Sequence, residues 1–262
     1  MLKIDQYAYS NRLNRVHPAE KFGFALTTMI ICLVFSAELT SLLVILLMAG
    51  LVVFRAGIPP LFYLKLMSVP MSFLVIGVLT VAFSYAGDDY SFLWGFKVGG
   101  YALGVTAPSL RSAGDLFLKS LSAVSCLYFL SLTTPMVEIL TVLKKLRVPP
   151  LFVELMSLIY RFIFVLLETA DKIYISQSSR WGYATLKTSY FSLGQLAANL
   201  FIKAYHRSQM LYTTMSARCY TGEIRVLDKQ YDISGKNIVF IVVIEIFLVT
   251  LSLVDRGLGA KG

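Results

Sequence analysis

The sequence predicts an all-α integral membrane protein with about five transmembrane helices plus two long cytoplasmic helices. Three observations predict it. Of the 262 residues, 57% are hydrophobic and only 15% are charged, whereas a soluble globule carries about a quarter charged residues; the mean hydropathy is +0.71. Apolar runs of the ~20 residues that span a hydrocarbon core recur along the chain. None of them alternates as a barrel strand does, and lipid leaves only helices or closed barrels as spanning structures.

The first 21 residues are a polar leader carrying Lys3, Arg12, Arg15 and Lys21. No cleavable signal precedes the first apolar run, so that run is expected to direct insertion. Five spans follow: Ala19–Ser36, Leu39–Phe54, Pro60–Tyr85, Leu110–Leu132 and Lys236–Val254. A tight turn at Ala37-Glu38 joins the first two. Asp88 and Asp89 mark an acidic connection, and the run Gly99-Gly100-Tyr101-Ala102-Leu103-Gly104 within it reads as a flexible loop. Lys144-Lys145-Leu146-Arg147 opens a basic stretch that continues to Lys236. Alternation of basic and non-basic flanks places the N-terminus in the cytoplasm by the positive-inside rule. Three regions result: residues 1–133, a leader and four-helix membrane region; 134–235, a cytoplasmic region; and 236–262, the last span and a short tail.

Within the cytoplasmic region Pro149-Pro150 starts a helix, as proline is tolerated in a first turn. Glu154, Arg161 and Glu168 recur every seven residues as a polar stripe. Leu151, Leu155, Leu158, Phe162, Val165, Thr169 and Ile173 follow the 3-and-4 spacing of a packed stripe. Such a helix prefers the membrane interface or partner helices; a sixth crossing is the alternative. The partner helix runs from about Ser192 to Tyr220, with Leu193, Ala197, Leu200, Ala204, Ser208, Leu211 and Met215 as its packing stripe. Thr188–Gly194 is expected to connect the two as antiparallel or crossing neighbours.

Each long helix ends alike: Ser179-Arg180-Trp181-Gly182 and Ala217-Arg218-Cys219-Tyr220-Thr221-Gly222. A guanidinium is always charged and presents a fork of donors to carboxylates and carbonyls. At a helix C-terminus it also complements the dipole, so one such ending reads as a cap facing water. Two endings on one side of a membrane read as tips that enter grooves on another protein. Gly182 and Gly222 are expected to take the left-handed conformation that closes a helix.

These residues carry a resemblance. The chain resembles the transmembrane T component of energy-coupling-factor (ECF) transporters, specifically the cobalt-type CbiQ family. The leader Ile4-Asp5-Gln6-Tyr7-Ala8-Tyr9-Ser10-Asn11-Arg12-Leu13, with His17-Pro18 and Lys21, is similar to that family's start. Tyr160-Arg161-Phe162, Glu168, Ile173, Gln177 and Arg180 follow its helix into the first arginine motif. The family's Ala-Arg-Gly signatures map onto Ser179-Arg180-Trp181 and Ala217-Arg218-Cys219, with Trp181 and Cys219 where glycine is usual. The resemblance implies that the long helices are coupling helices, with Leu155, Phe162, Ile173, Ala197, Ala204 and Leu211 along their sliding faces. It implies docking of Ser179, Arg180, Trp181, Gly182, Ala217, Arg218 and Cys219 on two ABC ATPase subunits (CbiO-like). It further implies a CbiM-like substrate-capture subunit, with a small CbiN-like subunit as an optional third partner, in the cytoplasmic (inner) membrane of the cell. ATP and Mg²⁺ would then belong to the ATPases, and this chain would hold no cofactor.

The rest of the sequence agrees. No phosphate-binding loop occurs. His17 and His206 are the only histidines, and Cys32, Cys126 and Cys219 are scattered, so neither a metal-ligand spacing nor a disulfide framework is visible, and nothing points to nucleic acid. His17 reads as a turn or interface residue. Asp115 and Glu245 fall in or near spans, where carboxylates invite either a functional reading or pairing within the bundle. Rival readings are a membrane enzyme using Glu154, Glu168, Asp171 and the arginines, and an autonomous transporter, which would need inverted repeats. Nickel or a vitamin could replace cobalt as the cargo.

Overall fold

The computed structural model describes residues 3–35, 38–86, 94–98, 101–220, 231 and 235–259. Its helices are α1 (Lys3–Ser10), α2 (Pro18–Phe35), α3 (Glu38–Gly50), α4 (Pro60–Ala82), α5 (Ala107–Thr133), α6 (Met136–Lys145), α7 (Pro150–Ser178), α8 (Leu186–Ser216) and α9 (Gly235–Gly259). Contacts divide the chain into Leu2–Pro135 with Gln230–Gly262, and Met136–Lys229. The five expected spans correspond to α2, α3 with its π-helical extension Leu51–Arg55, α4, α5 and α9. Six helices, however, are long and apolar enough to cross a membrane, the sixth being α7. That helix is the one whose stripe of charges leaves two readings open, a crossing or a place at the interface.

In the first unit α5 packs against α1, α2, α3 and α4, while α9 packs on α2 and α3. Thr106 and Ser109 form a reciprocal capping box that starts α5. Ala113, Ser122, Ser125 and Cys126 are all buried along α5, and such small side chains let membrane helices approach closely. The segment between α4 and α5 was expected to be loop; it contains a small antiparallel sheet instead. Its strands are β1 (Phe83–Ala86), β2 (Trp94–Val98) and β3 (Tyr101–Val105), in the order β1-β3-β2. Tyr101–Gly104 is thus part of the central strand, because its backbone is paired on both sides, Leu103 with Tyr85 and with Phe96. Asp88, Asp89, Gly99 and Gly100 lie outside the described residues, as does Ala37; Glu38 begins α3.

The polar leader is built into this unit. Asn11 Nδ2 donates to the carbonyls of Ala8 (2.6 Å), Leu132 and Thr133 (both 3.2 Å). Lys21 Nζ donates to the carbonyls of Thr133 (2.9 Å) and Leu13 (3.3 Å). The last carbonyls of a helix have no partner within it and carry its negative end; a buried amide and a buried ammonium supply what α5 lacks. His17, also buried, accepts from the N–H of Ala19 at Nδ1 (3.0 Å) where α2 begins.

Two polar rungs join α2 to α9. Asn237 Nδ2 donates to Glu20 Oε2 (3.1 Å), and Glu245 Oε1 accepts from the hydroxyls of Thr27 (2.6 Å) and Thr28 (2.9 Å). Glu245 is therefore paired within the bundle. Asp115 is half-buried, and its neighbour Arg111 lies 4.0 Å from Glu38. Because Thr28 is fully buried, Thr28→Val deletes a hydroxyl where no water replaces it. It is expected to lower stability in detergent by about 1–2 kcal/mol, read from reversible thermal unfolding; an unshifted melt would remove the rung from the fold's energetics.

Candidate functional site: two helix ends on one hairpin

Helices α7 and α8 form an antiparallel hairpin pinned at both ends. At the corner, Gln177 Nε2 donates to the Ser192 carbonyl (3.0 Å), Ser192 Oγ donates to the Gly182 carbonyl (2.8 Å), and the Tyr183 hydroxyl donates to Gln177 Oε1 (2.8 Å). The rings of Tyr174 and Tyr183 lie 4.7 Å apart. At the other end the Tyr220 hydroxyl donates to Glu154 Oε1. That bond to a carboxylate raises the phenol's pKa above its ordinary value. The contact is therefore complete below the ordinary phenol pKa and is lost as pH rises through the raised one, well into alkali.

The expected connection Thr188–Gly194 is in fact helical. Thr185 and Thr188 form a capping box that starts α8 at Leu186, so the turn runs from Ser179 to Thr185. Between the pins, Phe162 and Ile173 of α7 and Ala204 and Leu211 of α8 are half-buried, whereas Leu155 and Ala197 are exposed. The less exposed line on α8 is Ser192, Leu196, Leu200, Ala204, Leu211 and Met215. It begins at the buried Ser192, which sets the register of the helix.

Both tips have the same backbone. Gly182 N–H bonds to the Gln177 carbonyl (2.9 Å) and Trp181 N–H to that of Ser178 (3.1 Å). Tyr220 N–H bonds to the Met215 carbonyl (3.1 Å) and Cys219 N–H to that of Ser216 (3.2 Å). These are the paired 6→1 and 5→2 bonds of the Schellman motif, with the left-handed residue next to last. That residue is Trp181 (φ 60°) at the first tip and Cys219 (φ 57°) at the second. Neither position is the glycine expected to take this role: Gly182 lies one residue further on, and Gly222 is outside the described residues. Gly182 is needed for space instead. A Cβ on it would lie 2.8 Å from the Gln177 carbonyl oxygen and 2.8 Å from Ser192 Oγ. A third end repeats the motif, with Arg147 at φ 62° and Val148 N–H bonded to the Leu143 carbonyl (3.3 Å). It closes α6, and the basic run 144–147 is the only trace of it in the sequence.

Arg180 and Arg218 each sit immediately before the left-handed residue. Both are exposed, and neither guanidinium has a hydrogen bond or ion pair among the described residues. Ser179 Oγ returns to the Ile175 carbonyl (2.9 Å), and the Ala217 N–H bonds to the Thr213 carbonyl (2.9 Å), so the chain on either side of the tips is held while the arginines are not. Because α8 has 31 residues, the two tips lie about 45 Å apart at a rise of 1.5 Å per residue. The carboxylates weighed for catalysis do not converge. Glu154 is bonded to Tyr220, Glu168 pairs with Lys172 (2.6 Å), and the two glutamates are separated by about 21 Å of helix. Among the described residues no group of three or more His, Cys, Asp or Glu is placed to hold a metal ion.

A non-glycine residue in the left-handed region costs roughly 1–2 kcal/mol. Cys219 is exposed, so Cys219→Gly loses no packing. It is expected to raise stability by about 1 kcal/mol, net of glycine's greater entropy when unfolded, again by thermal unfolding. A destabilised variant would place Cys219 outside the left-handed well.

Known proteins place the chain. Residues 10–229 match the model of the family CbiQ, cobalt transport protein. The chain is 32% identical to cobalt transport protein CbiQ of Salmonella typhimurium, over 86% of this chain and 100% of that one. It is 31% identical to the energy-coupling factor transporter transmembrane protein EcfT of Ruminiclostridium cellulolyticum, over 84% of each. It is also 31% identical to a fused cobalt transport protein CbiMQ of Methanocorpusculum labreanum, over 84% of this chain and 36% of that longer one. With the matching segment reaching from the leader past both arginine tips, the chain belongs to the CbiQ cobalt transport protein family.

Proposed function

We propose that this multi-pass membrane protein is the T component of an ECF-type importer for cobalt ions, a non-catalytic lever that transmits the motion of two ABC ATPase subunits to a capture subunit. The observation that carries this reading is the pair of exposed arginines at opposite ends of one pinned hairpin, neither with a side-chain partner among the described residues. A span of about 45 Å suits two separate sites on two subunits better than one shared site. ATP and Mg²⁺ reside on those subunits, and cobalt is cargo, selected in the capture subunit. The capture subunit is CbiM-like, in keeping with the relative whose name joins CbiM to CbiQ in one chain, with a small CbiN-like subunit as an optional third partner.

The hairpin also bears on whether α7 crosses the bilayer. Its length and hydropathy permit a crossing. Because α8 runs antiparallel and is pinned to it, a crossing would carry Lys203, His206 and Arg207 through the hydrocarbon and put Arg180 and Arg218 on opposite sides. A charged side chain at the centre of a spanning helix costs about 2.5–3.5 kcal/mol even on the mildest scale. A position along the membrane surface instead leaves both tips available, and the basic leader favours the cytoplasmic side for the N-terminus by the positive-inside rule.

Work can be transmitted only if the hairpin makes different contacts in the two nucleotide states of the ATPases. The expected result is that Arg180→Ala with Arg218→Ala, assembled with ATPase and capture subunits in vesicles, releases the ATPases and abolishes ATP-dependent cobalt uptake. If association and uptake both survive the double change, the arginines are water-facing caps and this mechanism is wrong.

A further inference from the structure

We propose that Trp181 is the apolar anchor of the first tip, seating in a recess on an ABC-type ATPase subunit beside the groove that receives Arg180. This rests on the docking role of the tips argued above, and adds a residue and a contact chemistry to it. Three observations carry it. The left-handed position favours glycine on steric grounds, and this chain places its bulkiest side chain there. Trp181 is 81% exposed, so no packing among the described residues offsets that conformation. And its carrier is rigid: Gln177, Gly182, Tyr183 and Ser192 are tied together by three hydrogen bonds, and the backbone on both sides of Trp181 is bonded to the end of α7.

A strained backbone kept at an exposed site is what a binding tip needs and a folding core does not. A preorganised tryptophan beside an arginine is the composition that dominates protein interfaces, because a flat apolar face is delivered with little ordering cost. Cys219 occupies the same backbone well at the second tip with far less apolar area. The two tips therefore share a shape and differ in adhesion: the first supplies affinity as well as charge, and the second charge alone. Anchoring in lipid would account for an exposed indole too. It would need no particular backbone conformation, however, since any exposed aromatic on the hairpin could serve.

Trp94 and Trp181 are the only tryptophans, so a Trp94→Phe chain grown with 5-fluorotryptophan reports Trp181 alone by ¹⁹F NMR. In vesicles without ATPases the signal is expected to show full water contact through its H₂O/D₂O isotope shift, and to lose it when the ATPase subunits bind. A signal already shielded by lipid, or one still water-exposed in the complex, overturns the proposal. Trp181→Gly separates strain from adhesion. It should melt higher than the parent chain while its affinity for the ATPase subunits falls about thirtyfold, the effect of losing one interface hot spot. Unchanged affinity in Trp181→Gly, with loss in Arg180→Ala, sinks the anchor and leaves the docking role standing. Unchanged affinity in both sinks the docking role itself.

Discussion

Gly182→Val is expected to unfasten the corner of the α7–α8 hairpin and to uncouple ATP hydrolysis from uptake. A Cβ at this position meets the Gln177 carbonyl oxygen at 2.8 Å, and that oxygen belongs to the backbone that closes α7. It cannot withdraw without breaking the 2.9 Å bond from the Gly182 N–H. The second obstacle, Ser192 Oγ, can rotate, but rotation forfeits its bond to the Gly182 carbonyl. Forcing extra methyl groups into such a site costs typically 1–3 kcal/mol, and the lost part-buried hydrogen bond adds about 1. Gly182→Ala should sit near the lower end of that range and Gly182→Val at about 3–4 kcal/mol. Gly194, in the same hairpin, is the control, because a Cβ there meets nothing within 4 Å. Gly194→Ala should stabilise α8 by about 0.5–1 kcal/mol, the ordinary gain of alanine over glycine inside a helix. Thermal unfolding in detergent reads both; equal melts for Gly182→Val and Gly194→Ala would mean the corner is not packed as described. In the assembled transporter, Gly182→Val should keep the ATPases turning over while cobalt uptake falls at least tenfold, since Arg180 is then no longer held at a fixed angle to α8.

How far these features could be read from the sequence depends on the range over which each is determined. The spans α2, α3, α4, α5 and α9 follow from hydropathy, a local property, and their limits fall within a few residues of those expected. Local composition also located Arg180 and Arg218, because a small residue, an arginine and a nearby glycine end each helix. It failed on which residue turns left-handed. Glycine is the steric favourite, so Gly182 and Gly222 were the natural choices, whereas the hydrogen bonds put Trp181 and Cys219 in that position. The start of α8 was set too late because the Thr185–Thr188 box is a capping signal of two threonines rather than Thr with Glu or Gln. The β1-β3-β2 sheet is hidden in the sequence because β1 and β3 pair across about twenty residues, while β2 and β3, though neighbours in the chain, flank glycines that read as loop. The leader was the largest omission in physical terms: Asn11 and Lys21 look like surface polar residues until the end of α5, more than a hundred positions away, is brought against them.

That distant contact makes Lys21 the other residue whose loss should be severe. Its side chain is buried, and its ammonium is bonded to the carbonyls of Leu13 and Thr133. Replacement by methionine keeps the length and apolar stem but removes the donors, so two carbonyls lose a charged partner at the negative end of α5. Hydrogen bonds to charged groups are worth about 1.5–3 kcal/mol each, and a buried acceptor left without its donor costs about 1–3. Allowing for partial rescue by Asn11, which already serves the Thr133 carbonyl at 3.2 Å, Lys21→Met should cost about 3 kcal/mol. Lys21→Arg keeps the charge and some donors and should recover part of that. An exposed lysine of α8 sets the baseline: Lys203→Met should change stability by less than about 0.5 kcal/mol. Should Lys21→Met melt with Lys203→Met, the ammonium does not cap α5 and the leader is not anchored there. Should it unfold early while Arg180 and Arg218 variants melt normally, the leader acts on stability and the tips on docking, two tasks that the sequence places more than 150 residues apart.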